Sequence, residues 1–333
     1  IIGGALTSIS WEWIFLINVP IGIFIVIAGH YVLGAVEGQR VPLDIWGAIL
    51  ATLGSTALVL GLTSAGKGAS NPVFIVAMLV GIASLGAFFI TQKHTENGVL
   101  PLSLFTRRDR VFTFIAIFLL GAIMTTVAVF VALYVQTILK YTTLRAGLAF
   151  IPFAFALALG AATASKISMK WAPRWIILAG CIFMVIGFGW GTAISEESTF
   201  WADIFPPTLI IGYGVGLVSI ALTLSAVAGV KPIDVGPLTA ISLVAQTLGG
   251  PIGLAFAGAL AQSYTRHHGG ADIPVTEMNS VQLHALGEGY LLTLFVCLGL
   301  AVVMGILSAL FIRFTVPDVV EGQKANEAAN DLP

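Results

Sequence analysis

Three arginines, Arg107, Arg108 and Arg110, run straight into a stretch from Val111 to Tyr134 that carries no charge at all. That junction constrains the chain more than any other feature. An arginine costs roughly 2.5 to 3.5 kcal/mol to place at the centre of a bilayer, so the cluster belongs at a water interface and the apolar run in hydrocarbon. Cytoplasmic loops collect Lys and Arg, which predicts that this helix leaves the cytoplasm and that every other span alternates with it.

The rest of the chain matches that environment. Its residues are 58% hydrophobic and 9% charged, with a mean hydropathy of +1.00, whereas soluble domains carry about 25% charge. The expected fold class is therefore an all-α, polytopic integral membrane protein embedded in the lipid bilayer, because hydrocarbon offers no partner to an open strand edge. A net charge of -1 provides no basic face for nucleic acid. Cys181 and Cys297 lie far apart inside apolar stretches and read as packing residues, with no disulfide or metal framework. The chain opens at Ile1-Ile-Gly-Gly with neither Met nor a signal peptide. The expectation is the C-terminal portion of a longer protein, truncated at its N-terminus within a helix.

A span needs about 20 apolar residues. After the stub Ile1 to Thr7, the qualifying stretches are Trp11 to Gly34, Asp44 to Gly66, Pro72 to Gln92, Val111 to Ile138, Ala146 to Ser165, Trp175 to Ile194, Ile204 to Ala226, Gly236 to Leu260 and Glu288 to Phe314. With the arginine cluster inside, only Lys67, Lys140, Arg145 and Arg266 of the 15 Lys and Arg residues fall outside. The same bias places the polar tail Val316 to Pro333 in the cytoplasm, as a solvated or frayed end. The longest connection, Ala261 to Gly287, is expected outside; its adjacent His267 and His268 point different ways and lack a third spaced ligand for a metal.

Proline and glycine recur inside the spans, at Pro20, Pro152, Pro206, Pro207, Pro237 and Pro251 and in the pairs Gly187/Gly191 and Gly249/Gly253. Prolines kink helices and small pairs let backbones approach; ordinary packing and hinging about a central path both fit that pattern. Gly212-Tyr-Gly-Val-Gly follows no strand, so it is no dinucleotide loop. Every acid lies in a loop or at a helix end, which excludes a membrane-embedded enzyme and predicts no cofactor and no proton carrier in this chain. Glu288 comes nearest, as a helix-start acid at an interface. Aromatic and amide groups among apolar neighbours, namely Asn18, Phe130, Tyr134, Gln136, Phe153, Tyr213 and Gln246, are the expected substrate-cavity residues.

Several of these segments resemble a known family. Gly3-Gly4-Ala-Leu followed by Trp11-Glu-Trp-Ile-Phe-Leu-Ile-Asn-Val-Pro-Ile-Gly22 is similar to the junction of the fifth and sixth helices in drug:proton antiporters of the fourteen-helix major facilitator superfamily type. Tyr134-Val-Gln136, Leu144-Arg-Ala-Gly-Leu148 with Pro152, and Gln246-Thr-Leu-Gly-Gly-Pro-Ile-Gly253 resemble its second half. The resemblance implies that residues 1–34 end the N-terminal six-helix half and that 35–95 form an inserted helix pair. It implies further a cytoplasmic linker at 96–110, the C-terminal half at 111–314 and a tail at 315–333.

Gly3 and Gly4 would be the end of the antiporter signature. Pro20, Gly249, Gly250 and Gly253 would serve conformational change, and Lys166 with Pro173 and Arg174 would be a degenerate gating loop that lacks its acid. The implied function is export of hydrophobic or cationic organic compounds across the cell membrane by proton antiport, with small organic substrates and protons as partners and a monomer expected. An importer or exporter of another small metabolite on the same fold, and a membrane sensor or scaffold that does not transport, are the competing readings.

Overall fold

The computed structural model describes residues 6, 10, 12–32, 44–64, 71–93, 105, 107–193, 200–270, 273 and 275–330. These residues are mostly helical. A single turn at Trp13–Leu16 leads into α1 (Asn18–Val32), followed by α2 (Ile45–Ser64), α3 (Pro72–Gln92), α4 (Arg108–Thr137), α5 (Thr143–Ala149) and α6 (Ile151–Ile167). Then come α7 (Pro173–Gly191), α8 (Phe205–Ala226), α9 (Pro232–His267), α10 (Ser280–Phe311) and α11 (Val316–Asn330). Each stretch expected to span holds helix, and among the described residues seven helices are long and apolar enough to cross a membrane, α5 and α6 together making one of them. Asn18–Tyr31 and Ile45–Gly61 are apolar over shorter lengths.

Helices α4 to α10 make one bundle, in which α8 packs on α6 and α7, α9 on α4, and α10 on α4, α7 and α9. Glycine sets these distances. On α8, Gly212 and Gly216 lie one turn apart and meet the Phe153 and Leu157 carbonyls of α6, while Gly214 between them meets α7 at the Gly180 carbonyl. A Cβ at Gly214 would stand 2.6 Å from that oxygen. The Gly-Tyr-Gly-Val-Gly run is therefore a two-sided contact that lets α8 pass between two backbones. On α9, Gly249 lies against the Phe118 carbonyl of α4, and a Cβ at Gly253 would stand 2.5 Å from Ala122 Cβ. Lipid is as apolar as leucine, so this close packing, more than water exclusion, holds the bundle together. The tightest core lies where α4, α7, α8 and α10 meet, at Ile123, Met184, Phe188, Val218, Cys297 and Met304, all fully buried.

One end of the bundle, here the Arg107 end, is cross-linked by polar contacts. Arg110 is only 4% exposed, and its Nη2 donates to the Ala228 carbonyl at 3.1 Å in the turn between α8 and α9. Gly229 in that turn has φ +61°, a left-handed conformation open to glycine, and its N–H donates to the Asp318 carbonyl at 3.0 Å. The Arg107 guanidinium lies 5.0 Å from the Phe314 ring centroid. These contacts tie α11 to the bundle: Val319 is buried, and Gly322 sits against the Val227 carbonyl. The tail expected to be frayed is thus helical over 316–330 and docked along its first turns, because Asp318 caps its start by accepting from Thr315 N–H at 2.8 Å and Thr315 O–H at 2.7 Å.

Two other expectations are revised. The connection expected over Ala261 to Gly287 is shorter, since α9 runs on to His267 and α10 already starts at Ser280. A reciprocal capping box between Asn279 and Gln282 begins α10 early, and Thr265 Oγ1 donates to the Ala285 carbonyl at 3.3 Å, so the two helices stay packed beyond their apolar windows. Pro152 cannot donate to the Leu148 carbonyl, and helix breaks at Phe150, dividing the expected Ala146 to Ser165 span into α5 and α6.

Candidate functional site

Three features gather at the opposite end of the bundle, here the Tyr134 end, where α4 finishes and α8 and α10 begin. The first is a small cavity of about 30 Å³ walled by Phe130 and Tyr134 of α4, Tyr290 and Leu294 of α10, and Ile204. Phe130 and Tyr290 meet at 5.7 Å between ring centroids. That space holds about one water, so it is a pinch point lined by aromatics. Tyr290 was not picked out from the sequence, since nothing in the run Gly-Tyr-Leu-Leu marks which face it takes.

The second is a much larger open cleft of about 920 Å³ formed by the α5–α6 elbow and the start of α8. Tyr141, Arg145, Pro152, Phe155, Trp201 and Phe205 are among its lining residues. Arg145 at its rim stacks over Tyr141, with the guanidinium 3.9 Å from the ring centroid. The cleft joins residues about 60 positions apart, brought together because Gly160, Gly212 and Gly216 let α6 and α8 run in close contact.

The third is a polar cluster between α9 and α10. Tyr264 donates to Glu288 Oε2 at 2.6 Å, and His284 Nε2 lies 3.5 Å from Glu288 Oε1, one turn away on α10. Tyr264 also stacks on His268 at 3.9 Å. Glu288 is therefore two turns inside α10 and bonded across to α9, not the helix-start acid expected. The i, i+4 spacing of His284 and Glu288 was visible in sequence; the Tyr264 partner, on another helix, was not. Among the described residues no group of three His, Cys, Asp or Glu could hold a metal.

The structure distributes the other expected cavity residues. Gln136 is exposed, and Tyr213 meets Phe183 of α7 edge-on at 5.1 Å between centroids. Phe153 packs its carbonyl on Gly212, while the Gln246 carbonyl sits against Gly121. Asn18 and Pro20 are exposed on α1. Phe130 and Tyr134 of this set line one cavity together.

Comparison with known proteins sets these features in a family. No family model matches the chain. Over 330 residues, 98% of the chain, it is 39% identical to the MFS-type transporter EfpA of Mycobacterium tuberculosis, itself described as uncharacterized. Over 262 residues, 77% of the chain, it is 31% identical to the cephamycin export protein CmcT of Amycolatopsis lactamdurans. The crystal structure of a bacterial homologue of the lysosomal transporter Spinster, inward-facing and occupied, superposes with a TM-score of 0.53 over 82% of this chain and 67% of that one, at 16% identity. The chain belongs to the major facilitator superfamily. It spans 62% of EfpA and 54% of CmcT.

Gly3 and Gly4, expected to end the antiporter signature, lie outside the described residues. The loop from Lys166 to Arg174 is a tight turn in which Lys166 is exposed, Pro173 opens α7, and the Arg174 guanidinium lies 5.0 Å from the Trp175 ring centroid. Arg174 Nε is buried without a hydrogen-bond partner among the described residues. Gly250, beside the Gly249 and Gly253 contact, would place a Cβ 2.5 Å from Thr125 Oγ1, so all three motif glycines face α4.

Proposed function

We propose that this major facilitator chain works in a secondary active transporter that exports hydrophobic organic compounds across the cell membrane in exchange for protons. The observation that carries the reading is its 31% identity, over three quarters of its length, to a protein named for cephamycin export. The geometry supports it. Aromatic cavities open at the α5–α6 elbow beside the start of α8 and between α4 and α10, as suits organic substrates held by area and a few polar contacts. The glycine contacts on α8 and α9 make rigid helix pairs that can move as a body, the motion alternating access requires.

In this reading the Arg107 end faces the cytoplasm, because Arg107, Arg108, Arg110, Lys166, Lys170, Arg174 and Arg313 all collect there. α11 is then cytoplasmic, and the cleft and the Glu288 cluster open toward the other face. Phe130, Tyr134 and Tyr290 form a constriction on the substrate path. The direction of transport is decided in intact cells by expressing the full-length protein and following a fluorescent organic dye. Export lowers the steady-state dye content and loses that effect when the proton gradient is collapsed. An importer raises the content, and a sensor or scaffold leaves it unchanged.

A further inference from the structure

We infer that the cleft at the α5–α6 elbow is a binding site for amphipathic organic anions, in which Arg145 receives the acidic group and the aromatic walls receive the apolar body. The inference rests on the transporter reading and departs from the hydrophobic or cationic substrates that the family resemblance implied. At about 920 Å³ the cleft has the capacity of a small-molecule site. Its walls, with Pro152, Phe155, Trp201 and Phe205, are apolar, and no carboxylate is among the described residues that line it. The single charged group among the described lining residues is Arg145, whose guanidinium offers a fork of N–H donors and no acceptor.

Position adds to composition. The Arg145 backbone N–H donates to Thr142 Oγ1 at 3.4 Å, fixing the residue in the first turn of α5, and Tyr141 carries the guanidinium on its ring face at 3.9 Å. A stacked guanidinium presents its N–H edge sideways, the geometry that meets a carboxylate, sulfonate or phosphate with two hydrogen bonds. Asp203, close in sequence to Trp201, is outside the lining. An organic cation entering this cleft meets a like charge across low-dielectric walls, and an anion meets its complement.

The test uses the full-length protein in nanodiscs of zwitterionic lipid, with the anionic amphiphile 1-anilinonaphthalene-8-sulfonate as one probe and the cation rhodamine 6G as the other. The anionic probe should bind saturably, weaken at least tenfold in Arg145→Gln, stay within threefold in Arg145→Lys and bind still more weakly in Arg145→Glu. Rhodamine 6G should bind no more weakly in Arg145→Glu than in the wild type. Phe155→Ala should weaken the anionic probe without reversing the preference for negative charge.

Repeating the titration with an anionic phospholipid in the disc separates two sources of the same chemistry. Displacement of the probe from wild type but not from Arg145→Gln assigns the site to a membrane lipid, and lack of displacement assigns it to a free compound; each supports the anion site. An anionic-probe affinity unchanged within twofold in Arg145→Glu, or a wild-type preference for rhodamine 6G, overturns it. Binding is read without transport, so a protein that binds as expected but exports nothing contradicts the export reading alone.

Discussion

The Arg110 guanidinium, buried within the bundle, donates to the carbonyl of Ala228 at 3.1 Å and so joins the start of α4 to the turn before α9. Hydrogen bonds from a charged group are worth about 1.5 to 3 kcal/mol, and deleting one partner strands the other. Arg110→Ala should therefore destabilise the bundle by about 2 kcal/mol. Arg107→Ala should cost well under half of that, because its ion pair with Asp109 at 3.6 Å is solvated. Thermal unfolding of the purified full-length variants in one detergent compares them directly. Equal midpoints for the two would remove Arg110 from its structural role.

Gly249→Ala should separate α9 from α4, because the added methyl group runs into the Phe118 carbonyl, which is backbone and cannot swing aside. Overpacking of this kind costs about 1 to 3 kcal/mol. Gly86→Ala on α3 meets nothing within 4 Å and should be neutral or slightly stabilising through helix propensity. The same unfolding assay checks the pair. A Gly249→Ala protein as stable as Gly86→Ala would mean that the close approach is absent.

The Asp318 carboxyl is held below the usual carboxylate range, first by the Thr315 hydroxyl and then by the Thr315 N–H, with Arg107 adding to the effect. A depressed folded-state value stabilises the docked α11 fully above the unfolded value of about 4. That contribution disappears as pH falls through the lower folded value. Amide exchange in α11, corrected for intrinsic rates, should accelerate on acidification toward pH 3 in the wild type. In Asp318→Asn it should be faster at pH 7 already and change little on acidification. Identical profiles for the two proteins would contradict the capping role.

The spans were legible in sequence because bilayer thickness fixes their length and charge marks their ends, as at Arg107 and Val111. The Gly249/Gly253 pair was legible too, since residues four apart share a helix face. What the sequence concealed are relations between elements. Arg110 looked like an interfacial charge equal to Arg107, and only the fold brings the Ala228 carbonyl over it. The start of α10 was placed at Glu288 because hydropathy falls there, yet the capping box at Asn279 begins the helix two turns earlier. The cleft combines Arg145 with Trp201, two residues with no local pattern in common. Of the expected cavity residues, helical position told that Tyr134 lay on a span but not whether it faced a cavity or, like Tyr213, a neighbouring helix.

Glu288 should be dispensable for proton coupling. Its side chain is 43% exposed, with Tyr264 donating to it and His284 3.5 Å away, so it sits in a partly solvated polar cluster. A coupling carboxylate instead needs a desolvated setting that raises its pKa toward the working range. Glu288→Gln should keep proton-driven exchange within about twofold, whereas a coupling group would lose ten- to a hundredfold. Loss of exchange with substrate binding retained would make Glu288 the carrier.

The central claim, export by proton antiport, is tested most directly with the purified full-length protein in liposomes under an imposed pH gradient. Cysteine labelling selects molecules whose Arg107 end faces the bath. With the lumen acidic, the account predicts that an organic substrate accumulates inside above its external concentration while the luminal pH rises in proportion to substrate entry. Substrate that merely equilibrates regardless of the gradient, or that enters together with protons, would contradict it.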